Sequence, residues 1–196
     1  MARLTREESQ ALTRAKLLEN AVRVVAAEGY EGASIDKIAE AAGFSKGAFY
    51  SNFSSKEELF LELLEGHAGQ DVVEIARLLD GVSEPAAIID RFCEWADDRA
   101  SDPTWGLLAL ELLRRARREA TFGSRHASLF RAQWAGVGKL LGPVAPNLEP
   151  VKTELLGAMV MELTYGAAAG FTDKDGPSVG DLVRFALEAM QAKYAA

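Results

Sequence analysis

Ser34, Gly43, Ser45 and Ser55 crowd four helix-boundary signals into one short stretch, and the chain between them has room only for brief helices. Ser34 reads as the N-cap of a helix whose apolar side is Ile35, Ile38, Ala39 and Ala42. Gly43 stops it at a left-handed turn that a β-carbon would resist. Ser45 then caps a second helix, from Lys46 to about Asn52, and Ser55 with Glu58 forms a capping box for a third that runs to about Leu79. Two short helices joined by a tight glycine turn make a helix-turn-helix, the unit whose second helix enters the major groove. Its packing needs a small residue where the helices touch, Ala39, and bulky apolar residues on the inner face of the second helix, Phe49 and Phe53. Spacing alone leaves a plain helical hairpin open, with Tyr50 in its core.

The rest of the chain is written in the same vocabulary. Apolar residues recur at spacings of three and four, and alternation is weak everywhere. Leu12, Ala15, Leu18, Val22 and Val25 mark a first helix, boxed by Thr5 and Glu8 at its start and ended by Gly29. Ser83 with Pro85 starts a further helix, residues 101–103 break and restart the chain, and Leu107, Leu108, Leu110, Leu112 and Leu113 predict a largely buried helix. Gly123 and the stretches 142–150 and 173–178 supply the remaining boundaries. The expectation is an all-α fold of about nine helices, with a helix-turn-helix domain over residues 1–54 and a helical domain over 55–196.

Charge constrains function. The 196-residue chain carries a net −7, so the whole molecule does not attract polyanions and any nucleic-acid contact needs a local patch. Residues 1–60 hold 8 basic against 9 acidic side chains, whereas 61–196 hold 14 against 20. No Asp or Glu occurs between Ala41 and Lys56. With Phe49 and Phe53 inward, Lys46, Ala48, Tyr50, Ser51 and Asn52 face wholly or partly outward. Lys46 and Lys56 suit phosphates, Tyr50 a phosphate oxygen, Ser51 and Asn52 a base or sugar-phosphate, and Gly47 permits close backbone approach. A single cysteine, Cys93, excludes an intrachain disulfide. With no apolar signal core at the start and no comfortable membrane span, a cytoplasmic protein is expected.

Residues 21–60 resemble the N-terminal domain of TetR-family transcriptional regulators. The matching elements are Gly29–Tyr30, Ser34 with Ile38 and Ala39, Ala42 to Gly47, Phe49 to Phe53 and Ser55 to Leu59. Asn52 stands where the family usually has His, Ala33 and Ala48 where Thr is common, Val25 where Phe is common, and Phe44 where Val is common. The resemblance implies DNA contacts from Ser34, Ser45, Lys46, Gly47, Ala48, Tyr50, Ser51, Asn52 and Lys56. It also implies a homodimer on an inverted-repeat operator, and a second domain that dimerises through its last two helices and holds a small-molecule effector.

The second domain is read against that implication. Residues 155–171 are apolar all round, and Leu182, Phe185, Ala186 and Ala189 form a stripe on the final helix. With Leu155 they are candidates for a four-helix dimer interface, an intrachain core being the alternative. Candidate pocket residues are Phe92, Trp95, Trp105, Phe122, Phe130, Trp134, Met159 and Tyr165, each able to serve as plain core. Glu111 and Glu162 interrupt apolar helices, where they pair, emerge at the surface or meet a ligand. Arg114, Arg115, Arg117 and Arg118 read as a solvated helix end. His67, His126 and Cys93 lack metal-ligand spacing, and no nucleophile motif or phosphate loop appears, so neither catalysis, metal nor cofactor is expected. The expected function is a ligand-responsive repressor on double-stranded DNA, without membrane partners. The alternative is a helical small-molecule-binding or catalytic protein with a vestigial helix-turn-helix.

Overall fold

The computed structural model describes residues 5–167 and 176–194. Among these there are nine α-helices, two short 3-10 turns and no strand. In chain order they are α1 (Arg6–Gly32), α2 (Ile35–Ala41), α3 (Lys46–Tyr50), α4 (Lys56–Leu78), α5 (Pro85–Ala100), α6 (Thr104–Ala116), α7 (Ala120–Leu140), α8 (Thr153–Ala167) and α9 (Val179–Tyr194).

Boundary chemistry follows the sequence in the first sixty residues. Thr5 and Glu8 make a reciprocal capping box, and α1 loses helical geometry at Gly29, where φ is +70°. Ser34, Ser45 and Ser55 each accept a hydrogen bond from the backbone N–H three residues on. Gly43 sits at φ +76° between α2 and α3. The box at Ser55 closes on one side only, since the Glu58 carboxylate is drawn across to Arg125 of α7.

Further along, three expectations are corrected. The residue before α5 is Glu84, which makes no side-chain cap, so Pro85 alone starts that helix. Gly123 lies inside α7 and ends nothing; its missing side chain lets the backbone lie against Ala116, where a β-carbon would be 2.4 Å from the carbonyl oxygen. Of its five leucines α6 buries only Leu108 and Leu112, while Leu107, Leu110 and Leu113 are 40–53% exposed. The 168–171 end of the expected apolar helix lies outside the described residues.

Two apolar clusters organise the molecule. The first joins α1–α3 to the first half of α4 and reaches α6 and α7 through Leu108, Leu112, Phe122 and Leu129. The second gathers the end of α4 with α5, α7, α8 and α9 around Phe92, Val137, Val160 and Val183. Helix α4 is therefore common to both. Helices α7 and α8 touch backbone to backbone: a β-carbon on Gly138 would lie 2.0 Å from the Thr153 oxygen, and one on Gly157 1.9 Å from that of Trp134. Helix α9 is fastened to α5 at its N-terminus, where Gly180 N–H donates to Asp97 at 2.6 Å and Arg184 pairs with Asp90 at 2.7 Å.

Candidate functional site

The outer face of α3 is held from behind. Phe49 and Phe53 are buried with ring centroids 5.6 Å apart, and Ala39 is 1% exposed at the α2–α3 crossing. Arg14 of α1 lies 4.1 Å above the Phe53 ring, donates to the Asn52 carbonyl, and pairs with Glu62 of α4. That fixes the C-terminal end of the short helix between two long ones.

On the front, Lys46, Gly47, Tyr50 and Ser51 are exposed, Tyr50 by 53%. Tyr50 therefore stands outside the core, touching Phe49 edge-on at 5.7 Å. Ala48 and Asn52 are half-buried. Asn52 folds back to donate to the Ala48 carbonyl at 2.8 Å, and Ser51 likewise donates to Gly47 at 3.0 Å. The Ser34 and Ser45 hydroxyl oxygens accept as caps, which leaves each O–H proton available to a phosphate.

Two lysines are less free than the sequence suggests. Lys46 Nζ is 2.9 Å from Asp36 of α2, both exposed, and this neighbour raises the Lys46 pKa. Lys56 donates to the Tyr30 carbonyl at 2.8 Å with its ammonium 4.1 Å over that ring, so it joins α4 to the end of α1.

The expected pocket residues separate into groups. Phe92 is fully buried in the second cluster, with Trp95 and Met159 packed there. Glu111 pairs with Arg114 at 3.3 Å and lines a different groove, between the end of α1 and the start of α6. Phe122 is core of the first cluster. Arg115 is no free helix end: it pairs with Glu57 of α4 at 2.7 Å and with Glu119 at 2.8 Å. Phe130, Trp134, Glu162 and Tyr165 do converge, with Leu110 and Leu113 of α6, on an open cleft of about 390 Å³ between α6, α7 and α8. Such a volume falls within the roughly 300–1,000 Å³ of small-molecule pockets.

Behind the Tyr165 wall lies a polar cluster that sequence reasoning missed. Asp71, fully buried on α4, accepts from the Tyr165 hydroxyl and from Gln133 Nε2 at 2.9 Å, and faces Arg99 of α5 at 3.1 Å. His67, one turn earlier, stacks on Trp105 at 3.9 Å and hydrogen-bonds the Tyr165 hydroxyl at 2.8 Å. Burial pushes Asp71 up to about 6 and His67 down to about 4. One helix turn between His67 and Asp71 was the available signal; their partners come from α5, α7 and α8 and are invisible to local spacing. Among the described residues, no group of three or more His, Cys, Asp or Glu could hold a metal ion, and no helix is long and apolar enough to cross a membrane.

The dimer candidates are mixed. Leu155 is 65% and Phe185 78% exposed, Ala189 is exposed, and Leu182 and Ala186 are half-buried. The opposite side of α9, at Val179, Val183 and Leu187, is core.

Residues 17–63 match the family described as bacterial regulatory proteins, tetR family. The HTH-type transcriptional repressor AcnR of Corynebacterium efficiens is 33% identical over 125 residues, covering 62% of this chain and 56% of that protein. The chain thus spans little more than half the length of that curated relative. A tetR-family transcriptional regulator from Mesorhizobium loti shares the fold at a TM-score of 0.72 and 21% identity, over 97% of this chain and 99% of that one. FadR of Bacillus subtilis, solved in complex with stearoyl-CoA, does so at 0.64 and 17% identity, over 91% and 97%.

Proposed function

Through residues 17–63 the chain belongs to the tetR family of bacterial regulatory proteins, and from that premise we propose that it is a ligand-responsive repressor that binds an inverted-repeat operator as a homodimer. Double-stranded DNA as the target puts its work in the cytoplasm. The observation that carries the reading is the exposed, acid-free face of α3, backed by buried Phe49 and Phe53 and anchored by Arg14. Lys46 and Tyr50 supply phosphate contacts, Ser34 and Ser45 donate from their cap positions, and Gly47, Ala48, Ser51 and Asn52 line the groove side. Lys56 then acts through the α1–α4 joint.

Dimerisation uses the exposed side of α8 and α9, Leu155 and Phe185 first. Two reading heads would stand about 34–36 Å apart, one turn of DNA. We take residues 1–54 as the reading head and 55–196 as the effector and dimer domain, with α4 as the shared lever. An effector in the α6–α7–α8 cleft lowers affinity for operator only by binding the mis-spaced conformation more tightly.

Selection of bound duplexes from a random pool by the full chain tests this. An enriched inverted repeat is expected. A pool that stays random, or enrichment of a single unrepeated half-site, contradicts the dimeric-operator reading.

A further inference from the structure

Tyr165 belongs to two places at once. Its half-buried side chain lines the open cleft between α6, α7 and α8, together with Ala109 and Phe130. The same three residues line a second, small cavity of about 30 Å³, whose other walls include Leu64, His67 and Ala68 of α4. They form the partition between the cleft and the helix that both apolar clusters share.

The Tyr165 hydroxyl extends past that partition to α4. It donates to Asp71, a fully buried carboxylate that also accepts from Gln133 of α7 and faces Arg99 of α5. With that proton committed to Asp71, the Tyr165 oxygen accepts from His67 Nε2, one turn earlier on α4. Hydrogen bonds to a charged group are the stronger kind, and a buried carboxylate that loses one keeps its desolvation cost. A further contact decides how the tyrosine can yield. Helix α6 lies against its backbone: a β-carbon on Gly106 would be 2.7 Å from the Tyr165 carbonyl oxygen. The main chain has no room to retreat toward α6. An occupant pressing on the partition therefore turns the ring, and turning the ring breaks both hydrogen bonds to α4 together.

We propose that Tyr165 is the positioning residue through which occupancy of the cleft reaches α4. An occupant deep enough to press on the partition detaches the tyrosine hydroxyl from Asp71 and His67 and loosens the second half of α4. The proposal rests on the effector reading above and deepens it by assigning the trigger. It concerns depth in the cleft, not the charge of the occupant.

A tethered occupant tests it. Leu110 lines the cleft and is 53% exposed, so Leu110→Cys in the full chain removes no core side chain. Decyl methanethiosulfonate then fills the cleft through a disulfide, whereas methyl methanethiosulfonate leaves it open. Cys93 is buried with its thiol pushed up to about 11, and mass spectrometry checks that it stays unmodified. The readout is amide hydrogen exchange over residues 64–78. The decyl adduct should speed it about tenfold, as loss of a charge-assisted bond implies, and the methyl adduct less than about twofold. Tyr165→Phe, added to Leu110→Cys, keeps the ring without the hydroxyl. Exchange should then start fast, and the decyl adduct should change it less than about twofold. No decyl effect in the parent, or an equal effect with and without the hydroxyl, overturns the proposal. Affinity for a selected duplex separates this from the regulator reading, and should fall about tenfold with the decyl adduct in the parent alone. An unlabelled chain that binds no duplex refutes the regulator, and exchange by itself then judges the link. Exchange that responds while affinity does not upholds the link to α4 and refutes the effector reading.

Discussion

Lys46 is the residue to which the proposed function gives the leading phosphate contact, and its present partner is Asp36. Binding a phosphate means exchanging that carboxylate for another anion, with Asp36 left beside the backbone. Lys46→Ala should weaken all duplexes alike and reduce the salt slope by about one. Asp36→Asn should tighten binding by freeing the ammonium and removing a repulsive charge, and an anisotropy titration showing weaker or unchanged binding would contradict that exchange. Tyr50→Phe removes one hydroxyl contact, for a loss of about 0.5–1.5 kcal/mol in duplex affinity without a change in melting temperature.

Also at this scale, Asp71 and His67 make opposed contributions to stability. Asp71 rises from 3.8 to about 6 on folding, so between those values the folded chain holds a proton that the unfolded chain has released, and stability falls as pH rises. His67 drops from 6.5 to about 4, so between those values the unfolded chain holds the extra proton, and stability falls as pH falls. The two nearly cancel in the intact protein. Relative to wild type, His67→Phe should lose on the order of 2–3 kcal/mol as pH rises from 4 to 6, and Asp71→Asn a similar amount as it falls from 6.5 to 4. Denaturant midpoints across that range measure both; parallel curves for all three proteins would show that the pair does not titrate this way.

At the scale of elements, the α7–α8 pair is the tightest joint, because Gly138 and Gly157 let the two backbones meet. Gly157→Ala inserts a β-carbon against backbone, which has no rotamer to yield, so a loss of about 1–3 kcal/mol or more is expected in chemical unfolding. The boundaries in the first sixty residues were legible because their signals are local: a cap, a positive-φ glycine, a buried ring three or four residues on. The inner face of α1 was not: Leu12 and Ala15 are exposed, and Leu17 and Ala21 join Val25 in the core instead. Nor was helix α6, since five leucines specify a helix without saying which side meets protein; Leu110 and Leu113 line the cleft and Leu107 the groove beside α1. Gly123 misled for the same reason, a close approach to Ala116 looking in sequence like a stop. The cleft was half legible: Phe130, Trp134 and Tyr165 advertise themselves as aromatics, whereas Asp71 and Gln133 behind it matter only through partners on other helices.

For the whole molecule, the account needs two copies joined through a face that is open in the monomer. Phe185 is 78% exposed on α9 while Val183 and Leu187 hold that helix to the core. Phe185→Glu should therefore give a folded monomer with unchanged helix content, read by sedimentation and circular dichroism; an intact dimer would move the interface elsewhere. Deleting residues 178–196 is the harsher change, because it also strips the second cluster of Val179, Val183 and Leu187, and aggregation is its expected outcome. Partly buried pairs link α4 to α6 and α7, Glu57–Arg115 and Glu65–Arg125, each at 2.7 Å, the second bidentate and shared with Glu58. The central claim is that the α3 face lies along phosphates. Its most direct test is the affinity of the full chain for a selected duplex between 50 and 200 mM salt, with Lys46→Ala beside it. A steep linear fall of log affinity with log salt, shallower by about one in the variant, is predicted; a salt-independent affinity, or identical slopes for the two proteins, would contradict it.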